Sequence, residues 1–510
     1  MSTNRSKRLL KNDDNVILEI NTHLDIHLDL PPADNNSTAV VAPTPTMPLR
    51  QALEGVADSG LRLLRIRDLP SWTNRACPSL RDILSMNGPL QRVLQLNFMF
   101  ELDWFMNQIP VESRHVPIYI IHGMRNVEPD PRSWGDNVKV RRAEVPDAYG
   151  RFGTHHTKAM VLQFQDDTLR IVIHTANMIS RDWTNKSQGA WISPPLKRKS
   201  AGQAASRFER DLISYFEADS YKTVLPSWCK LIKEYDLSPC RAVLIGSIPG
   251  RHKNGDLHKW GIGRMANVLK DVGSEAEGSI IAQYSSMGSL GSNDEWLKET
   301  FRRALSQSTT LNSGILAKQA SRLPDLKLVY PTVEDILTSL EGVDGGESVR
   351  LSGENWSKQR NYLQPILHRW QSRDQGRYTA MPHIKTYTRV NGAGSIAWHY
   401  LGSHNLSKAA WGSLEKDKSQ LFIRSFELGV LVYPQLFEDA GINEVTMVNT
   451  TPVALPESLW LNIPNGQPYK SQSNIVRIPI RLPYDVPLVQ YTARDIAWND
   501  GNDPRAQQHR

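Results

Sequence analysis

The sequence carries the same short pattern twice, and this repeat constrains the fold more than any other feature. His156-Thr157-Lys158 in the first half corresponds to His383-Ile384-Lys385 in the second. Each copy is followed, at nearly the same distance, by an asparagine, Asn177 or Asn405, and six positions later by a tryptophan. A repeat with so long a period indicates duplication of a whole domain and excludes a short-period solenoid.

Around these motifs, runs of apolar residues predict strands, and helical spacing of apolar residues predicts helices. A capping-box pattern at Ser292 and Glu295 predicts a helix that begins there and ends near Ser306. The other predicted elements are strands at 116–122, 159–165, 169–174, 242–245, 384–390, 395–401 and 426–433, and a helix at 206–218. Mixed strands and helices in two halves, each with one copy of the motif, predict the α/β class with two related domains that face one another.

Composition and patterning place the boundaries of these domains. A stretch rich in proline, asparagine and threonine predicts a disordered extension at 1–60, and polar residues predict a tail at 500–510. The two domains are then expected at 61–237 and 238–499. Three widely spaced cysteines in 510 residues argue against a disulfide framework, and the net charge of +7 suits a polyanionic partner. We find no apolar run of about 18 residues and therefore expect no membrane-spanning helix.

The paired motifs predict chemistry at a phosphodiester. Alternate residues of a strand share a face, so His156 and Lys158 project together, as do His383 and Lys385. If the halves face one another, one pocket holds two imidazoles, two ammonium groups and two asparagine amides. The ammonium groups neutralise phosphate oxygens, one imidazole attacks phosphorus, and the other transfers protons. We therefore expect no cofactor and no metal ion.

Each catalytic imidazole also needs a group that holds its second ring nitrogen. Gln188 follows the first asparagine, and Glu427 lies in the predicted strand after the second. A carboxylate behind one imidazole and an amide behind the other would separate their protonation states. His155 and His174 are expected to be structural.

The motifs resemble those of the phospholipase D superfamily, in which an aspartate usually lies five residues after the lysine. Here Gln163 and Val390 occupy those positions. With this absence, the segments resemble the tyrosyl-DNA phosphodiesterase family in particular. The segments that carry the resemblance are 153–158, 187–189, 244–247, 283–291, 381–387, 405–412 and 423–429.

The resemblance implies an α/β fold of two pseudo-symmetric phospholipase D-like α-β-α sandwich domains, each with a mixed β-sheet, that share one central active site. It also assigns roles to the residues of that site. His156 would be the nucleophile and His383 the general acid and then base, while Lys158, Lys385, Asn177 and Asn405 would hold the phosphate. Support would be crosswise between the halves, with Glu427 behind His156 and Gln188 behind His383. The residues implied in gripping the DNA strand are Phe152, Gly153, Ser285, Ser286, Ser289, Ser403, Ser407 and Lys408.

The same resemblance implies a substrate and a setting. The substrate would be DNA whose 3′ end carries a tyrosine or peptide from topoisomerase I, with other 3′ blocking groups also processed. A nuclear, monomeric enzyme without a membrane partner is implied. Phe98 and Trp498 are candidates for the peptide side. The basic loop at 197–199 either contacts DNA or is solvated surface, and His404 either points away from the site or adds a third imidazole to it.

Three other functions fit parts of the pattern. A phospholipid hydrolase of the same superfamily would turn over vesicle lipids. A non-catalytic nucleic-acid-binding module would show salt-dependent binding without turnover. A metal-binding histidine cluster would require ligand spacings that this sequence lacks.

Overall fold

The computed structural model describes residues 57–125, 128–145, 153–218, 221, 225–275, 277–309, 323–439, 444–452 and 475–507. The disorder predicted for 1–60 therefore falls almost wholly outside the described residues, and so does Phe152. All the described residues belong to one compact unit. Within them, no helix combines the length and the apolar character needed to cross a membrane.

The strands alternate with short helical segments along the chain. The strands are β1 (Leu61–Leu63), β2 (Leu90–Leu96), β3 (Ile118–His122), β4 (Val138–Arg142), β5 (Ala159–Phe164), β6 (Leu169–His174), β7 (Gly189–Ile192), β8 (Val243–Ser247), β9 (Gly250–Lys253), β10 (Gly278–Gln283), β11 (Ser286–Met287), β12 (Asp325–Val329), β13 (Arg350–Leu351), β14 (Leu367–His368), β15 (Thr386–Asn391), β16 (Ile396–Gly402), β17 (Ser413–Glu415), β18 (Gln420–Ile423), β19 (Glu427–Val432), β20 (Glu444–Asn449) and β21 (Ile475–Ile480).

The helices cover the sheets. The α-helices are α1 (Leu80–Ser85), α2 (Leu102–Gln108), α3 (Arg207–Phe216), α4 (Pro226–Lys233), α5 (Gly261–Leu269), α6 (Arg303–Leu305), α7 (Val333–Leu337), α8 (Gly353–Leu363), α9 (Lys408–Trp411) and α10 (Pro504–Gln507). A π-helix, Trp296–Arg302, runs directly into α6, and 3₁₀ turns occupy Ser71–Asn74, Val111–Ser113, Ser180–Trp183, Asn254–His258, Gly342–Ser348, Gln364–Ile366 and Pro434–Phe437.

Two mixed sheets repeat one topology. The first has the order β1-β7-β6-β5-β2-β3-β4, and the main path of the second is β8-β19-β16-β15-β10-β12-β14. The directions also correspond, because the last two pairs of each path are parallel and the others are antiparallel. The second sheet adds β20 and β21 beside β16. This correspondence confirms the predicted α/β fold with two related halves. The sheets lie within the predicted spans 61–237 and 238–499, whose boundaries stay predictions.

The two halves meet closely along their central strands. β6 and β7 contact β16 and β19. Gly189 allows this approach, because a methyl group on its Cα would lie 2.6 Å from a Leu401 methyl carbon and 2.7 Å from one of Ile384. A continuous apolar core joins the halves, and a second, smaller core fills the outer face of the first sheet under α1 and α2. The site region is thus held between two rigid layers.

Local sequence explains most of these elements. The predicted strand at 159–165 is observed as β5, which is buried on both faces and is wholly apolar apart from Gln163. The predicted helix at 206–218 is observed as α3, whose cap is the Ser206 side chain accepting the Glu209 N–H. The capping box predicted at Ser292 is wrong, because Glu295 donates its N–H to the Asn293 side chain instead.

Candidate active site

The two motifs occupy equivalent places at the edge where the halves meet. His156 and Lys158 directly precede β5, and His383 and Lys385 directly precede β15. They therefore lie in extended segments before the strands and not inside them, where their alternating spacing had placed them. Asn177 follows β6, and Asn405 follows β16 in the same way.

Backbone hydrogen bonds join each motif to the opposite half. The His156 N–H donates to the Phe426 carbonyl at 2.9 Å, and the Phe426 N–H donates to Thr154 at 2.8 Å. Reciprocally, the His383 N–H donates to the Ser187 carbonyl at 3.0 Å, and the Ser187 N–H donates to Met381 at 2.9 Å. Each motif is consequently carried next to the supporting residue of the other half, Glu427 or Gln188.

The side chains also make contacts between the two halves. Nδ1 of His156 lies 2.8 Å from Oε2 of Glu427, and Nδ1 of His383 lies 3.0 Å from Nε2 of Gln188. Because Nδ1 is engaged in both rings, Nε2 is the nitrogen left to face a substrate. The structure therefore brings together, in one place, the histidines and the crosswise partners named from the sequence.

A further carboxylate, Asp182, lies at the site and was not predicted from the sequence. Its Oδ2 lies 3.1 Å from Nδ1 of His383 and accepts the Asn177 N–H at 2.7 Å, and the side chain is almost completely buried. The expectation of a carboxylate behind only one imidazole is thus wrong, since each ring has one. Asp182 lies in the 3₁₀ turn Ser180–Trp183, which no periodic pattern marks.

The two lysines are fully buried cations that share the pocket. Lys158 Nζ donates to the His156 carbonyl at 3.1 Å, and Lys385 Nζ donates to the His383 carbonyl. Burial lowers the pKa of Lys158 to about 8, and burial together with the Lys158 charge lowers the pKa of Lys385 well below its ordinary value. A buried ammonium group needs a counter-charge. Glu427 and Asp182 supply part of it, and a phosphate anion bound beside the lysines would add to it.

The asparagines contribute oriented amides. The main chain of Asn177 is held on both sides, because its backbone N–H donates to Asp182 and its backbone carbonyl accepts the Trp183 Nε1–H at 2.9 Å. Oδ1 of Asn405 accepts the Ser286 N–H at 3.0 Å and the Ser285 N–H at 3.3 Å. With that oxygen engaged, the amide N–H groups of Asn405 are left to donate to phosphate oxygens.

The two carboxylates behind the imidazoles differ in pKa. Burial raises the pKa of Glu427 to about 7, whereas the His383 ring, the Asn177 N–H and the Lys385 charge hold the pKa of Asp182 well below its usual range despite burial. Burial lowers the pKa of His156 and His383, and that of His383 falls to about 3. An anionic substrate offsets the lysine charges, and the firmly ionised Asp182 then favours an imidazolium at His383.

The other residues implied in DNA binding fall into two groups. Gly153, Ser285 and Ser286 border the motifs, Ser289 is exposed, and Ser407 caps α9, whose first residue is the half-buried Lys408. Ser403 differs from these, because its buried hydroxyl donates to Glu427 and accepts the Leu428 N–H at 3.0 Å. We reassign Ser403 from DNA contact to support of Glu427.

His155, His404 and His174 are structural. His155 bridges the Asn97 carbonyl at 3.0 Å and the Tyr221 hydroxyl at 2.7 Å. His404 is fully buried, contacts the hydroxyls of Ser247 and Tyr400, and lies on Trp411 with ring centroids 4.2 Å apart. It therefore belongs to the buried interior and does not present a third imidazole to the substrate. His174 is likewise buried beside Trp183.

The structure also locates three secondary candidates, which are Phe98, Trp498 and the basic loop at 197–199. Phe98 lies at the site, with its ring centroid 5.6 Å from that of His156, whereas Trp498 is buried against Gly346. In the basic loop, Arg198 pairs with Asp167 at 3.0 Å, and Lys199 pairs with Glu209 at 2.6 Å. These ion pairs favour a structural role for the loop over contact with DNA.

Residues 60–492 match the family described as Tyrosyl-DNA phosphodiesterase. The chain belongs to the tyrosyl-DNA phosphodiesterase family. It is 33% identical to Tyrosyl-DNA phosphodiesterase 1 of Arabidopsis thaliana over 86% of this chain and 74% of the relative, and 31% identical to that of Drosophila melanogaster over 88% and 74%. It is accordingly an enzyme of this phosphodiesterase family.

A solved structure agrees on the fold. The crystal structure of yeast tyrosyl-DNA phosphodiesterase superposes with a TM-score of 0.64 at 19% identity, covering 86% of this chain and 99% of the yeast chain. The fold is thus the two-domain, phospholipase D-like fold that the resemblance implied.

The charge state of Glu427 predicts a pH dependence in this family member. We expect kcat/KM to fall as the pH drops below about 7, because a protonated Glu427 no longer polarises His156. Glu427→Gln should abolish this acid limb and lower the plateau by about 10- to 100-fold. The measurement is a pH profile of kcat/KM for both proteins.

Glu209→Gln is the matched control for that profile, since Glu209 is also buried but pairs with Lys199. It should keep the acid limb. An unaltered acid limb in Glu427→Gln would contradict the assignment.

The position of Asp182 beside His383 predicts that the effect of replacing it depends on the leaving group of the substrate. Asp182→Asn should weaken the acidity of His383, so cleavage of a tyrosyl ester should fall by about 10- to 100-fold. A nitrophenyl ester should lose much less, because its better leaving group needs little protonation. Equal losses of kcat/KM for both esters would show that Asp182 does not act through protonation of the leaving group.

Proposed function

We propose that this enzyme hydrolyses the 3′-phosphotyrosyl bond between DNA and a topoisomerase I peptide, and so repairs blocked DNA ends. The observation that carries the proposal is the pairing of two imidazoles, each backed at Nδ1 from the other half, around two buried ammonium groups. Such a cradle suits a single phosphorus atom that bears a negative charge and two ester oxygens.

In the first step, neutral His156 acts as the nucleophile. Its Nε2 forms a bond to phosphorus while the bond from phosphorus to the tyrosine oxygen breaks. Protonated His383 gives its Nε2 proton to that oxygen, and tyrosine leaves as a neutral phenol. Lys158 and Lys385 neutralise the non-bridging oxygens, and the amides of Asn177 and Asn405 add donors.

In the second step, His383 changes from acid to base. Its now neutral Nε2 takes a proton from water, and the water oxygen attacks phosphorus as the phosphorus–nitrogen bond to His156 breaks. The products are DNA with a 3′-phosphate and the regenerated histidines. Asp182, which stays ionised beside Nδ1, supports the imidazolium form of His383 at each end of this cycle.

The lysines supply positive charge at the place where many phosphodiesterases use a divalent ion. Within the described residues, no group of three or more His, Cys, Asp and Glu side chains is arranged to share a metal. We propose that catalysis proceeds without a metal cofactor. The same site would accept other 3′ blocking groups. A monomer is sufficient, because both motifs come from one chain. The substrate would place the enzyme in the nucleus.

The test is release of tyrosine from a 3′-phosphotyrosyl oligonucleotide in the presence of EDTA. We expect turnover at the rate measured without chelator and no release of choline from phosphatidylcholine vesicles. Strict dependence on added metal would refute the mechanism. Lipid turnover without DNA cleavage would instead identify a phospholipid hydrolase, and salt-dependent DNA binding without turnover would identify a binding module.

A further inference from the structure

Two arginines share one aromatic ring on the small sheet formed by β17, β18 and β9. Arg251 lies directly opposite Phe422 in the β18–β9 pairing, and its guanidinium carbon is 4.2 Å from the centroid of that ring. Arg424, two residues beyond Phe422, places its guanidinium carbon 5.2 Å from the same centroid. The ring attracts both cations, so it restricts the positions of the two guanidinium groups.

This pair lies beside the segments implied in gripping DNA. The backbone N–H groups of Arg424 and Ser425 both donate to the Ala409 carbonyl at 3.1 Å, and Ala409 follows Lys408. On its other side, the Ser425 hydroxyl lies 3.1 Å from that of Thr154, which follows Gly153. The chain at Arg424 therefore runs between the segment that contains Lys408 and the segment that contains Gly153.

The same chain segment also defines which side of the phosphorus the arginines occupy. It leads directly into Glu427, which supports the nucleophile His156. In an in-line displacement the leaving tyrosine lies opposite the nucleophile, toward His383. The arginines are thus on the nucleophile side of the phosphorus, away from the peptide, and the DNA strand, which leaves phosphorus through an equatorial oxygen, can run past them.

The charge of this face is only partly balanced. Arg251 has one ion-pair partner, Glu415 at 3.5 Å, and the Arg251 side chain stays 47% exposed. Arg424 has no carboxylate within ion-pair distance among the described residues, and Lys253 adds an exposed cation on the same strand as Arg251. An exposed ion pair contributes little and yields readily to a phosphate.

We propose that Arg251 and Arg424, stacked on Phe422, bind backbone phosphates of the DNA strand on the 5′ side of the scissile phosphate. This inference rests on the proposed function. A guanidinium edge matches two phosphate oxygens, and contacts of this kind position a strand without reading its sequence. The site would thus extend the grip of Ser407 and Lys408 and favour long substrates over short ones.

The test compares 3′-phosphotyrosyl oligonucleotides of about 4 and about 16 nucleotides, lengths that bracket a typical single-strand site. Arg251→Ala and Arg424→Ala should each raise KM for the long substrate about tenfold, the effect of about one charge-assisted hydrogen bond. KM for the short substrate should rise much less. The slope of log KM against log salt concentration should drop by about 0.7 for each phosphate that the variant no longer binds.

Arg198→Ala is the matched control, because Arg198 also stacks on a ring, that of Tyr235 at 4.6 Å, but is neutralised by carboxylates. It should leave the ratio of KM values and the salt slope unchanged. Arg424→Lys keeps the charge and guards against misfolding, and it should retain part of the long-substrate advantage.

The outcomes separate this inference from the proposed function. The proposed phosphate contacts would be overturned by equal KM changes for both lengths, or by an unchanged salt slope, in Arg251→Ala and Arg424→Ala. The wild-type protein would still release tyrosine in that case. Failure of the wild-type protein to cleave either oligonucleotide would overturn the proposed function itself.

Discussion

Replacing His156 with alanine is expected to lower kcat/KM for a 3′-phosphotyrosyl oligonucleotide by at least about 10³-fold, as loss of a covalent nucleophile does in other enzymes. The reason lies in the pocket, where His156 is the imidazole held neutral beside Glu427. Water would have to attack directly, without a base placed on that side. Single-turnover assays with enzyme in excess measure the chemical step alone.

His258→Ala is a suitable control, because His258 lies in the 3₁₀ turn Asn254–His258 and takes no part in the pocket. It should retain wild-type turnover. Thermal unfolding should show that His156→Ala keeps the fold, since His156 contributes little to the apolar core. A His156→Ala protein that still turns over at more than about one tenth of the wild-type rate would show that another group attacks phosphorus.

Much of the fold could be predicted from the sequence because local periodicity carries it. The strands β5 and β6 and their counterparts β15 and β16 are runs of mostly apolar residues separated by a polar turn, so their hairpins could be predicted. The repeat of His-x-Lys then located both halves. Equivalent positions in duplicated sheets explain why Asn177 and Asn405 occupy equivalent places.

The features that could not be predicted depend on contacts between distant segments. Asp182 meets His383 only because the Ser180–Trp183 turn folds back under Asn177. Ser403 has the composition of a phosphate-binding residue, yet its position beneath Glu427 commits its hydroxyl to the carboxylate. Similarly, nothing in the order of residues shows that the Ser292 hydroxyl leaves the helix uncapped while Asn293 accepts the Glu295 N–H.

Asp182 changes the explanation of how two like side chains take opposite roles. The sequence predicted a carboxylate behind one ring and an amide behind the other. In the structure the difference lies in ionisation, because the pKa of Asp182 is held low while that of Glu427 is about 7. The two rings therefore differ in how firmly the carboxylate behind each one is ionised, which depends on burial and on the neighbouring N–H donors.

His383→Asn is expected to trap the enzyme as a covalent adduct with DNA on His156. Asparagine neither donates a proton to tyrosine nor removes one from water, so both steps slow, each by about 10²- to 10⁴-fold. A nitrophenyl ester bypasses the first loss, because its leaving group departs without protonation. The second step then limits the rate, and one equivalent of nitrophenol should appear in a burst while the adduct accumulates.

Mass spectrometry of the denatured, digested protein should place the nucleotide on the peptide that contains His156, through a phosphorus–nitrogen bond that acid cleaves and base does not. The variant with both His156→Ala and His383→Asn is the matched control and should show neither burst nor adduct. An adduct on any other residue would overturn the assignment of the nucleophile. A burst without an adduct would overturn the two-step mechanism, because the leaving group would then depart before any bond to the protein forms.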